Sequence, residues 1–90
     1  MQRATANEDA ITLALGALAW TLGDSARAER LLALTGLDPQ TLRQDAGNPA
    51  TLIAVIDFLA AHEPDLIACA DAIATRPETL IAARMRLENA

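Results

Sequence analysis

The stretch Asn7-Glu8-Asp9-Ala10-Ile11-Thr12-Leu13-Ala14-Leu15-Gly16-Ala17-Leu18-Ala19-Trp20-Thr21-Leu22-Gly23 decides the fold. It carries no charge from Ala10 to Gly23 and repeats apolar residues at three- and four-residue spacing. That is the period of an α-helix. Asn7 is an N-cap residue type, and Glu8 and Asp9 place negative charge where the helix dipole favours it. Gly23 suits a left-handed position just past the end. Ile11, Ala14, Leu15, Leu18 and Leu22 form one stripe, the expected core face. Leu13 and Trp20 lie roughly opposite, beside Gly16 and Ala17. A helix apolar on two faces is either central to its domain or keeps one face for a partner. The expected interaction face is therefore Leu13, Gly16, Ala17 and Trp20, extended by Met85. The competing expectation makes Trp20 an ordinary anchor of a central helix.

Downstream, the same helical punctuation recurs. Asp24 or Ser25 caps a second helix that runs to Thr35, where Gly36-Leu37 reads as a Schellman ending. Then one phrase appears three times: Asp38-Pro39-Gln40-Thr41-Leu42, Asn48-Pro49-Ala50-Thr51-Leu52 and Arg76-Pro77-Glu78-Thr79-Leu80. Proline at the first helical position has a suitable φ and gives up an amide hydrogen that would be unpaired anyway. Before Pro77, Thr75 and Glu78 have capping-box spacing. Glu63-Pro64-Asp65-Leu66 is a looser fourth instance. The uneven intervals make this reused start punctuation rather than a solenoid repeat.

The expected helices span about 8–22, 25–35, 39–45, 49–61, 64–74 and 77–88. Residues 49–61 are apolar almost all round, with Leu52, Ile53, Val55, Ile56 and Leu59 covering most of the circumference and Asp57 on the narrow polar side. Such a helix needs neighbours on several sides and should be the hub. The fold class is all-α: a compact single-domain bundle of five to six short helices with short loops. Residues 1–6 are expected to form a disordered tail, and 7–90 one domain.

Composition agrees with that reading. The 90 residues are 52% apolar but only 2% aromatic, so alanine and leucine must fill the core. The net charge is −5, and all seven basic residues are arginine. Residues 38–75 alone carry Arg43 against six acids. Nucleic-acid binding needs a basic footprint, so it is not expected. The uncharged run is shorter than the ~20 residues that span a bilayer, so no membrane role is expected. Arg3 and Ala17-Leu18-Ala19 have some likeness to a secretory leader, but Glu8 and Asp9 directly before the apolar run oppose it.

The inventory for chemistry is thin. His62 and Cys69 are the only residues of their types, too few for a zinc site, and Pro64 places them in different helices. Asp57, His62, Glu63 and Asp65 bracket a helix-to-helix turn and make at most an isolated acid–base group. No phosphate-cradling, nucleophile-elbow or metalloprotease motif is present. No catalytic, cofactor-binding or metal-binding residue is assigned, and no cofactor is expected. The leading function is a non-enzymatic protein-interaction or regulatory adaptor domain, with an unknown protein partner or a homodimer. The alternative is a carrier holding a small ligand in an apolar pocket between helices.

Glu8-Asp9-Ala10 leading into Leu15-x-x-Leu18-Ala19-Trp20 is followed by Leu32-Ala33-Leu34-Thr35-Gly36-Leu37-Asp38-Pro39 and Leu42-Arg43. With Asn48-Pro49 and Val55-Ile56-Asp57-Phe58-Leu59, this pattern resembles DUF3572, a family of small alphaproteobacterial proteins of unknown function. The likeness runs over about residues 7–85. It implies a short bacterial protein of the cytoplasm and supplies no activity or site residue.

Overall fold

The computed structural model describes residues 2–89, and side chains from Glu8 to Asn89. Six helices follow one another: α1 (Gln2–Leu22), α2 (Ser25–Thr35), α3 (Pro39–Gln44), α4 (Pro49–Ala60), α5 (Glu63–Ala72) and α6 (Pro77–Glu88). No strand occurs among the described residues. α1 starts upstream of Asn7, which is therefore an interior position and not its cap. The boundary expected between a tail at residues 1–6 and the domain falls outside the residues whose side chains are described.

The start signals act locally as their chemistry requires. Asp24 accepts a hydrogen bond from the Ala26 amide at 2.9 Å, Asp38 from Thr41 at 2.7 Å, and Asn48 from Ala50 at 2.9 Å. Thr41 also donates its hydroxyl to Asp38, and these bonds hold the Asp38 carboxyl below its ordinary pKa. The repeated proline phrase has a further consequence. Its leucine falls one turn into each helix and points inward: Leu42, Leu52 and Leu80 are all buried, as is Leu66 in the looser copy. The phrase thus starts each helix and sets its first core residue.

The capping box expected of Thr75 and Glu78 does not form. Arg76 occupies the N-cap of α6 without a side-chain cap bond, and the Thr75 amide is donated back to the Ala70 carbonyl of α5 at 2.8 Å. Gly36 takes the left-handed conformation with φ 73°, its amide donating to Leu32 at 2.9 Å. Gly23 does not. Its amide donates to Trp20 three residues back, tightening the end of α1 so that α2 begins two residues later. The left-handed position that the sequence does not announce is Ala74, φ 58°, at the end of α5.

α1 and α4 are the two hubs. They pack on each other, and each also packs on α2, α5 and α6. Leu52, Val55, Ile56 and Leu59 of α4 are fully enclosed. One core cluster gathers around Val55 and Leu59 with Leu31, Leu66, Cys69 and Leu80; the other joins Leu52 and Ile56 to Ala10, Ala14, Ala83 and Leu87. α3 is attached mainly through Leu42.

The core face of α1 differs from the expected stripe. Its buried residues are Ala10, Ala14, Ala17, Leu18 and Thr21, while Leu15 and Leu22 are 38% and 44% exposed. The buried line runs between the two apolar faces read from the sequence, about a fifth of a turn from the leucine-rich one. Small residues face inward because α4 and α6 lie close. Thr21 tolerates full burial because its hydroxyl donates to the Ala17 carbonyl at 2.8 Å.

Two substitutions test this packing in opposite directions. Leu59→Ala should lower stability by ~2–5 kcal/mol, read by denaturant unfolding. Ala74→Gly should raise it by ~1 kcal/mol, because glycine accepts the left-handed backbone without the Cβ clash.

Candidate functional site

The residues expected to form an interaction face are not one surface. Ala17 is fully buried in the main core cluster. Gly16 is backed by Ile73 of α5, whose side chain would lie 3.7 Å from an added Cβ, so the close approach expected there is made within the chain. Leu13 is half-buried and packs against both clusters. Met85, 57% exposed on α6, is the one open member of the set.

Trp20 is half-buried against the main cluster, and its ring is covered by Arg27. The guanidinium carbon stands 3.7 Å from the ring centroid. Arg27 also donates to the Trp20 carbonyl at 2.9 Å and to Asp24 at 3.2 Å, tying α2 to the end of α1. A cation stacked on indole and held by two acceptors is a structural clasp. Arg27 Nε is buried without a hydrogen-bond partner, the one such side-chain atom among the described residues.

The groups that could do acid–base chemistry are dispersed. Asp57 receives two hydrogen bonds from Arg84 of α6, Nη2 to Oδ2 at 3.3 Å, which also raises the arginine's pKa. His62 sits exposed at the N-cap of α5 with no side-chain cap bond, and Glu63 is exposed. Asp65 faces Arg30 of α2 at 3.1 Å. Asp57 and Asp65 are thus held by different arginines, and neither is joined to His62 or Glu63. The Cys69 thiol is fully buried, and burial pushes its pKa up to about 11, away from the thiolate needed for nucleophilic work. No group of three or more potential metal ligands converges among the described residues.

The feature that the sequence did not single out is a groove between α1, α2 and α3. It has a volume of about 390 Å³ and is lined by Leu18, Leu22, Ala28, Leu32, Pro39, Leu42, Arg43 and Ala46. Arg43 is the only charged residue in that lining, and it has no ion-pair partner among the described residues. α3 is only six residues long, so it leaves this side of α1 partly uncovered. Beside the groove, α1 exposes Glu8, Thr12, Leu15, Ala19 and Leu22 as one helical stripe. A second cleft, about 490 Å³ between α1 and α6, is lined by Asp9, Arg76, Glu78 and Arg86 around Leu13 and smaller residues, and its charges offset one another.

Fold and surface together define a small all-helical domain with a closed core and an open apolar groove. No helix among the described residues is long and apolar enough to cross a membrane. A family model described as protein of unknown function, DUF3572, matches residues 7–90, and the chain belongs to that family. No curated protein and no solved structure matches the chain.

Proposed function

We propose that this domain is a non-enzymatic protein-interaction module of an adaptor or regulatory kind, acting in the bacterial cytoplasm. Its contact surface is the α1–α2–α3 groove with the exposed stripe of α1, in place of the Trp20 face expected from sequence. The observation that carries this reading is the pairing of an apolar groove with Leu15 and Leu22, two large side chains left outside a domain whose core is closed. Leucines exposed beside a concave apolar surface lose water when a partner covers them, at roughly 25 cal/mol per Å². The dispersed titratable groups and inert thiol favour binding over catalysis. A lone buried cysteine fits a reducing compartment.

A second reading, a small-ligand carrier, draws on the same groove. Its volume lies in the range of small-molecule sites, and its lining is mostly apolar. The groove is half-open to solvent, however, and does not fully enclose a ligand as a carrier's pocket must.

A photo-cross-linking residue placed at Leu22 in the source organism tests the proposal, with the exposed Ile67 on α5 as the control position. Protein adducts at position 22 and not at 67 are expected. Equal labelling at both positions contradicts the reading. A small molecule retained by the purified chain and expelled by Ala28→Trp would favour the carrier instead.

A further inference from the structure

The groove and the leucines beside it belong to one patch, and this combination selects an occupant. Leu22 both lines the hollow and stands 44% exposed, and Leu15 is exposed about two turns earlier on the same helix. A surface that carries knob and hole together complements its own copy when the two are related by a two-fold axis. Resting on the interaction reading above, we infer that the groove is a self-association surface, in which α1 of a second copy lies antiparallel along the exposed stripe of α1.

Three features of the stripe fit a helix pair. It holds no charge between Glu8 and Leu22. In the antiparallel register that sets Glu8 opposite Leu22 of the other copy, Leu15 meets its own copy at the axis and Thr12 meets Ala19, so an apolar centre is flanked by small side chains. The charges at its edges are complementary. In an antiparallel pair, the N-terminal end of one α1 runs toward the C-terminal end of the other, where the groove opens beside Leu22. Glu8, the exposed residue at the upstream limit of the stripe, is brought toward Arg43, the lone charge in the lining. Symmetry makes this pair twice.

The net charge of −5 opposes contact between copies. At physiological salt, charges are screened beyond about 8 Å, so the local pairs and apolar contacts decide. A single helix pair with a shallow groove buries an area near the low end of specific interfaces, roughly 1,000 Å² in total. The dimer should therefore dissociate on dilution.

Sedimentation equilibrium over a concentration series provides the test. The mass of the wild-type chain should rise from 9.5 kDa toward twice that value. Leu22→Arg should hold it at the monomer mass with unchanged helicity, since Leu22 is already part-exposed. Glu8→Arg and Arg43→Glu should each weaken dimerisation by at least about five-fold, and the double reversal should restore it. A dimer that ignores Leu22→Arg overturns the inference. So does a chain that is monomeric throughout. If that monomer still gives protein adducts at position 22, the interaction reading stands with a different partner; without them, both fail.

Discussion

The enclosure of α4 is the constraint on which the rest of the structure depends. Its leucine, isoleucine and valine side chains cover most of its circumference, and Leu52, Val55, Ile56 and Leu59 reach zero exposure. A twelve-residue helix of this kind is marginal in isolation, since most helical stability comes from packing an apolar face. It has to be surrounded, and 90 residues leave only a few short helices to do it. α1 packs along it with alanines, α6 with Leu80, Ala83 and Leu87, and α5 with Leu66 and Cys69. Arg84 crosses from α6 to Asp57, bridging the polar edge of α4. This exposed pair contributes little beside the buried area.

The starts of α2, α3, α4 and α6 were legible because they depend on one or two residues at a time, whereas Asn7 and Gly23 do not act as the cap and left-handed stop their types suggest. Asp24, Asp38 and Asn48 cap as their side chains predict, and the proline phrase marks the starts of α3, α4 and α6 correctly. The choice of hub was legible too, because a helix apolar all round has no alternative to burial. Ends that depend on neighbouring elements were not. The Thr75 amide serves the last carbonyls of α5, so the box with Glu78 is lost to a competitor that local spacing does not show. Ala74 takes a glycine's conformation as the left-handed residue of a Schellman ending, in which the Thr75 amide reaches Ala70 and the Ala74 amide reaches Asp71.

The orientation of α1 was the largest departure and the one that moved the candidate site. Counting apolar bulk selects Leu15 and Leu22 as core and leaves Ala17 and Gly16 for a partner. The fold does the reverse. Where helices lie close, most inward residues must be small, so Ala10, Ala14 and Ala17 are buried with Leu18 while Leu15 and Leu22 stay outside. Tight packing at crystal-like density rewards fit at the contact over hydrophobicity of the single residue. The same rotation covers Gly16 with Ile73 and half-buries Trp20 beneath Arg27. The groove follows from α3 being too short to cover Leu22, a property of the whole packing that no single segment announces.

Native-state hydrogen exchange measures the central claim, that α1 and α4 form the hub and α3 is an attachment. Amides of α4 and the middle of α1 should exchange last and together, through global unfolding, while those of α3 open locally at a fraction of that free energy. Protection in α3 equal to that in α4, or α4 opening while α5 and α6 stay closed, would contradict the account.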